Sequence, residues 1–587
     1  MFAAVTDRWN RLRHNEQIIL NLVAVAVGIV VAYAAIAFRG AIAGIQWIAF
    51  GFPDEAVFTK AAQLPDWQIL LLPALGGLIV GVLLKLLMPD NRPHGVPEVI
   101  EANVLRQGRL GLREGIGAAV ISATSLGFGA SAGREGPMVH FGATLASWLA
   151  QRLHLSAGLS RTILGCGVAA AVAASFNAPI AGVFFALEVV IGHYALSAFA
   201  PVVIASVAGT VVSRIHLGTE PAFILPGFEI VTMLEFPAYL LLGVVCAAIA
   251  MTFNWSVTFT QKVVESLPIP PLLLPACGGL LVGALAVNFP HILGVGYEAT
   301  DAALNQQLSL WLLIALIVLK TAATAITLGC RFGGGVFSPA LFLGAMTGGA
   351  FGIVAAHAFP ELATGHGAYA IVGMSAMAAA VLGAPISTIL IVFELTGDYE
   401  MTIAAMVASS TATVLTQQLQ GPSYFHRQLV RRGLNLAGGR ARHLLRAVLV
   451  RDVMDRRFHI VREDAPLRDL KRLLPSAPAT GFLLVDEDEG LTGMLSFADI
   501  RAVAFEADVD EQMNAKEIAH AAPAFLTAGD SLERALQAME TSGENHLPVV
   551  DDDKTRRVVG IVHQVDALRA YNRALLQLQA EEHGVRS

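Results

Sequence analysis

The sequence predicts an α-helical multi-pass membrane region made of two related halves, followed by a small α/β cytoplasmic part. Three observations carry this. Of 587 residues, 55% are hydrophobic and 14% charged, against about 25% charged in a soluble chain. Several uncharged runs reach the roughly 20 residues that a bilayer crossing needs. A spaced set of glycines and a proline recurs 202 residues further on. This composition excludes a soluble enzyme, a secreted disulfide scaffold and a disordered adaptor. Cys166, Cys246, Cys277 and Cys330 lie far apart in apolar stretches, without metal-ligand or redox spacing, and read as small core residues. A net charge of -7 gives no sign of a nucleic-acid partner.

Residues 1–15 carry Arg8, Arg11 and Arg13 ahead of the first uncharged run, Ile18–Phe38. That run exceeds an ordinary signal core and lacks a small-residue cleavage site, so it is expected to remain. Gln68–Leu84 and Arg161–Phe176 read as shorter segments or as segments interrupted by Gly and Pro. Broken segments are tolerated at membrane depth only where protein or a watery cavity satisfies their backbone, as in transporters and channels. Phe236–Gln261, Ala370–Phe393 and Met401–Phe425 are again free of charge and long enough to cross. An arginine cluster between Arg427 and Arg457 follows. By the positive-inside rule both ends are cytoplasmic and the number of crossings is even. The expected organisation is a membrane domain over 16–430, a basic linker over 431–449 and a soluble part from 450 onward.

The duplication is countable. Gly127, Gly133, Pro137 and Gly142 are separated by six, four and five residues, and so are Gly329, Gly335, Pro339 and Gly344. Ala178-Pro179-Ile180 precedes Glu188 by the spacing that separates Ala384-Pro385-Ile386 from Glu394. Halves with matching breaks point to a substrate site at their interface near the bilayer midplane. Gly133–Pro137 and Gly334–Pro339 each read as a turn entering a helix, with Pro in the first turn. A helix start offers unpaired N–H groups and about half a positive charge, which suits a small anion. Glu135 either complements its own helix dipole or competes with an anion for those N–H groups. An ionisable side chain inside lipid favours the second reading, a gate.

These motifs, in this order, resemble the CLC family of chloride channels and chloride/proton exchangers from residue 15 to about 430. The match comprises Gly133-Arg134-Glu135-Gly136-Pro137, a weaker His94-Gly95-Val96-Pro97, Phe176-Asn177-Ala178-Pro179 with Glu188, and Gly334–Pro339. The resemblance implies a homodimer with one pore per subunit, inverted halves of tilted, broken helices, and a place in the cell membrane. It also implies that chloride or other small anions contact His94, Gly95, Val96, Pro97, Arg134, Gly136, Val336, Phe337 and Phe425, with Glu135 as gate. Three positions depart from the family. His94 stands where a serine hydroxyl is usual. Spacing to Leu429 puts Phe425 at a tyrosine position, although a one-residue shift would place Tyr424 there. Val189 stands where coupled relatives keep a proton-relay glutamate. Val189 tips the reading toward a passive channel, with a proton-coupled antiporter as the alternative. A divalent-cation transporter is a remote third, because such sites are rich in oxygen ligands.

From residue 450 a second repeat appears. Leu483–Asp486 leads through an acidic turn to Gly493–Ser496, and Pro548–Asp551 leads to Gly560–His563. Each reads as two strands and a following helix. Asp530 and Glu533 read as a capping box before the Leu532, Ala535, Leu536, Met539 helix. The pattern resembles a tandem pair of CBS domains, placed at 450–505 and 506–577 with a tail over 578–587. Ser496 and Asp499 match that family's ribose-binding pair, whereas His563 and Asp566 match only at Asp. ATP, ADP or AMP is therefore a candidate ligand, and a dimerising module without ligand is the alternative. Without a phosphate loop, metal cluster or acid/base pair, the chain reads as no enzyme and requires no cofactor.

Overall fold

The computed structural model describes residues 16–582 except 53–56, 193, 195, 220–222, 224–232, 361–364, 435–444, 447, 474–481, 496–498, 501–512, 522–523 and 553. The N-terminal arginines, Ser496 and the border between the two soluble repeats lie outside the described residues. Two compact units form, Met1–Asn435 and Leu436–Ser587.

In the first unit the apolar runs become helices. Among the described residues, seven are long and apolar enough to cross a membrane: Gln17–Phe50, Asp66–Leu87, Ala157–Phe176, Ala198–Leu217, Phe236–Ser266, Leu310–Gly329 and Phe337–Ala358. Two expectations of broken segments fail here. Gln68–Leu84 lies inside one helix despite Pro73, and Arg161–Phe176 lies inside another that Ser156 caps by accepting from the Leu159 N–H. Two expectations of single crossings fail the other way. Ala370–Phe393 divides into His366–Leu382 and Pro385–Thr396, because Gly383 (φ +68°) ends one helix and Pro385 starts the next. Met401–Phe425 divides at Gly421 (φ +88°) into Tyr399–Gln420 and the start of Tyr424–Arg431. Cys277 is exposed, so it is no core residue, while the other three cysteines are buried.

The halves are related by a two-fold axis, and close glycine contacts reveal it. A Cβ on Gly77 would fall on the carbonyl oxygen of Pro275, and one on Gly279 on that of Pro73. Gly81 meets Leu272 as Gly283 meets Leu70. In both pairs of contacts the partners exchange at the 202-residue offset read from the sequence. Helices Asp66–Leu87 and Leu274–Asn288 thus run antiparallel while being equivalent. An axis that exchanges antiparallel helices lies across them, so the second half is inverted relative to the first.

In the second unit, Ile460–Arg462, Phe482–Val485, Leu491–Leu495 and His520–Ala521 form a sheet in that order. Leu526–Thr527, His546–Val550 and Val558–His563 form another. In each, a parallel pair is followed by an antiparallel hairpin. Leu483, Val485, Leu491 and Met494 pack with Val550 and Val558 in one cluster, which joins the two modules. The expected capping box is replaced. Ser531 caps Leu532–Ser542 by accepting from the Arg534 N–H at 3.3 Å, while Asp530 accepts from the Thr527 N–H at 2.7 Å. Glu533 instead pairs with Arg446 at 2.5 Å. A serine one residue later competes for the same orphan N–H groups and lies closer to them.

The glycine contacts generate a stability prediction. Gly77→Val or Gly279→Val should lower stability by about 1–3 kcal/mol or more, since overpacking pushes backbone apart. Thermal melting of the detergent-solubilised protein measures it, with Gly40→Val, which meets nothing within 4 Å, as the neutral control.

Candidate functional site

At the two-fold axis the two turns meet. The Gly133 N–H donates to the Gly335 carbonyl and the Gly335 N–H to the Gly133 carbonyl, both at 2.8 Å. From this bridge start helix Glu135–Arg152, with Arg134 at its N-cap, and helix Phe337–Ala358, with Val336 at its N-cap. The Cα of Gly335 lies 3.2 Å from where a Gly136 Cβ would be. Two positive helix ends therefore face one small region.

Glu135 lies beside this bridge and is 1% exposed. Its carboxylate accepts from the Tyr297 hydroxyl at 2.7 Å and from the Ser338 hydroxyl. The expectation that it takes backbone N–H groups is thus replaced by a latch of two hydroxyls, both from the opposing half, one at the start of helix Tyr297–Leu304 and one on helix Phe337–Ala358. The Arg134 guanidinium is 3.9 Å from the carboxylate and lies over the Tyr297 ring at 4.7 Å. Tyr297 and Ser338 were not singled out from the sequence. Ser338 sits inside the motif Gly334–Pro339, and its hydroxyl was the available signal. Tyr297 belongs to no motif.

Cavities reach both neighbours of Glu135. One, of about 370 Å³, is lined by His94, Gly95, Val96, Pro97, Gly136, Val336, Tyr424 and Phe425. Its wall also carries Arg92, Arg331, Arg431 and Arg432 against Asp90, Glu98 and Glu265. The other, of about 330 Å³, is lined by Arg39, Gln46, Arg134, Gly294 and Tyr297. Most of the expected anion contacts thus share the first cavity, and Arg134 opens on the second. The Phe337 ring packs against Phe176 and Phe185 at 5.0 and 5.8 Å, leaving its backbone N–H at the helix start.

In the first cavity Glu98 is a further residue that sequence reasoning missed, although a Glu two places after Val96 fits a capping pattern. Its carboxylate accepts from the Gly95 N–H at 2.7 Å and pairs with Arg432. It thus neutralises the start of helix Val96–Leu105, the loop expected to face the anion. His94 bonds Asp90 at 3.0 Å. In the loop before that helix, burial opposes the charge of Asp90, and hydrogen bonds from His94 and Arg92 outweigh it, holding the carboxyl well below the usual range. His94 also meets the fully buried His140 edge-on at 5.7 Å. Both Tyr424 and Phe425 are buried, and the Tyr424 hydroxyl accepts from Gln428 at 2.5 Å.

Val189 is 6% exposed in a π-helical turn, Ala186–Ile191. Beside it, Glu188 accepts from the N–H groups of Ile386 (3.1 Å) and Ser387 (2.9 Å) and from the Ser387 hydroxyl (2.5 Å). Glu394 answers by accepting from Ile180 and Ala181, both at 2.8 Å. Each half caps a helix of the other. In the second unit Asp499 is helical, beyond the strand Leu491–Leu495, and Asp566 pairs with Arg569 at 3.2 Å.

A duplicated, inverted membrane fold with two helix starts, a carboxylate between them and an arginine-lined cavity is the frame of a membrane anion transporter. Comparison with known proteins agrees. Residues 76–417 match the voltage gated chloride channel family, and residues 450–506 and 515–573 each match the CBS domain. The chain belongs to the voltage gated chloride channel family; it is a transporter of anions, not an enzyme. It is 33% identical over 410 residues to a putative chloride channel protein ClcB-like of Ralstonia nicotianae, covering 69% of this chain and 95% of that protein. It is 29% identical to chloride channel protein CLC-f of Arabidopsis thaliana, over 88% of this chain and 76% of that one. Among solved structures it resembles a slow cyanobacterial Cl-/H+ antiporter (TM-score 0.63, 23% identity, 71% of this chain and 98% of that chain). It also resembles a eukaryotic CLC transporter (TM-score 0.62, 19% identity, 93% and 97%).

If the Glu135 carboxylate blocks the path between the cavities, protonation opens it. Anion efflux from liposomes should rise as pH falls, by at most about tenfold per pH unit for a single proton. Glu135→Gln should conduct with little pH dependence. An active Glu135→Gln protein with the wild-type pH profile would refute the gate.

Proposed function

We propose that this protein is a passive, Glu135-gated pathway for chloride or similar small anions in the cell membrane. It works as a homodimer with both termini cytoplasmic. The observation that carries the passive reading is the pair Glu188 and Val189. A valine carries no proton, and the neighbouring carboxylate is bound by three donors as the cap of a helix in the other half. A carboxylate so engaged holds a helix start in place, and moving it to pass a proton would break those bonds, which argues for a structural cap rather than a shuttle. Anions approach through the arginine-lined cavity, whose charge raises their local concentration. They then meet helix N-termini, where N–H groups replace water.

A second reading, proton-coupled antiport, has one specific support. His140 is fully buried, neither of its ring nitrogens has a hydrogen-bond partner, and it lies against His94 in the cavity wall. These are two imidazoles side by side at a place that does not depend on position 189. The deciding experiment uses purified protein in liposomes under a chloride gradient, without a pH gradient and with the potential clamped by a potassium ionophore. The passive reading expects no sustained proton movement; proton pumping that Glu135→Ala abolishes would establish the antiporter instead.

The CBS pair is proposed to bind an adenine nucleotide, with Asp499 accepting from ribose hydroxyls beside Ser496. A ligand present at about 100 times its Kd stabilises the folded form by about 2.7 kcal/mol. Millimolar ATP, ADP or AMP should therefore raise the melting temperature of the soluble unit within the full chain, and Asp499→Ala should remove the shift. The absence of any shift with all three would leave a module without nucleotide.

A further inference from the structure

We propose that Lys320 is a positioning residue for the gate: its buried ammonium ties together the two segments that deliver the Tyr297 and Ser338 hydroxyls to Glu135. The proposal rests on the reading of Glu135 as gate.

Lys320 is 0% exposed within the membrane helix Leu310–Gly329. A cation there is costly and is kept for a function. Its Nζ donates to the carbonyl of Ile292 at 3.0 Å and to that of Gly294 at 2.9 Å, and it lies 5.1 Å from the centre of the Phe342 ring. Three contacts suit an ammonium's three N–H groups. A cation that served as an anion ligand would aim its N–H groups at the ion, whereas two of these are held by backbone carbonyls.

Ile292 and Gly294 belong to the loop that ends at Gly296, whose φ of +89° turns the chain into helix Tyr297–Leu304. Phe342 lies one turn beyond Ser338 on helix Phe337–Ala358. One ammonium thus fixes the origin of both latch hydroxyls. The joint has little slack. A Cβ on Gly296 would sit 2.7 Å from Phe342 Cδ2 and 3.3 Å from Lys320 Nζ. The ring of Tyr297 is held further by Phe223, edge-on at 5.0 Å. Loss of the ammonium frees the loop and lets Tyr297 leave the carboxylate.

The test is anion efflux at neutral pH from liposomes holding the full-length protein, comparing Lys320→Met, Tyr297→Phe and Glu135→Ala singly and together. Lys320→Met and Tyr297→Phe should each raise efflux by roughly tenfold, the effect of one hydrogen bond to a charged group. The double variant should do no more than the larger single one. In the Glu135→Ala background Lys320→Met should change nothing, because no carboxylate is left to hold. Lys320→Arg, which keeps the charge and the donors, should behave as wild type. If Lys320→Met does not fold, Phe342→Leu removes the ring from the same joint and should raise efflux only when Glu135 is present. An effect of equal size without Glu135, or full additivity with Tyr297→Phe, would overturn the proposal. If Glu135→Ala itself leaves efflux and its pH profile unchanged, the gate reading fails, and this proposal with it.

Discussion

Two backbone hydrogen bonds, exchanged between Gly133 and Gly335, are the constraint on which the membrane unit depends. They hold together the starts of two helices whose positive ends repel each other. That arrangement is unfavourable without a negative group nearby, and the Glu135 carboxylate lies buried beside the bridge. On the proposed reading the same electrostatics serves the gate and the anion, so one short stretch of backbone would act in both binding and closure.

The frame is symmetric and the chemistry is not. Gly77 answers Gly279, Gly133 answers Gly335, and Glu188 answers Glu394 across the axis. At the 202-residue offset, however, Glu135 corresponds to Phe337, Ser338 to Gly136 and Lys320 to Ala118. Symmetry builds the meeting point of the helix ends, where backbone groups suffice. The gate needs one carboxylate with its own donors, and a second carboxylate at the same point would repel the first. Only one half carries the carboxylate; the other has Phe337 at the equivalent place and supplies the Tyr297 and Ser338 hydroxyls.

The soluble unit follows the same logic of repetition with divergence. Each module pairs a parallel strand with a hairpin, and apolar residues from both hairpins close a shared cluster. Short apolar, β-branched runs joined by acidic turns made these elements visible in the chain. The helix cap was misplaced by one residue because Asp530 and Ser531 are both good caps, and only the geometry shows that Asp530 bonds backward to Thr527.

Much of this protein could be read from the order of residues alone. Uncharged runs mark helices because lipid leaves no partner for a charge or an open backbone group. Glycine and proline spacing marks the duplicated turns because few other residues permit them. Whether a run stays whole was less legible. Pro73 is absorbed within a helix, whereas Gly383, left-handed at φ +68°, ends one and Pro385 starts the next. The site shows the same division. Glu135 was visible because an acid in an apolar glycine-rich turn is costly. Tyr297, Glu98 and Lys320 were not, since their roles arise from partners 162, 334 and 26–28 residues away in the chain. Sequence by itself determined the membrane architecture, the two-fold plan and the place of a buried carboxylate at the meeting of two helix starts, because these follow from local spacing and from the cost of burying charge. Tertiary structure alone decided what holds the gate carboxylate, because hydrogen bonds form between atoms that folding brings to within about 3 Å, and no local pattern records that distance.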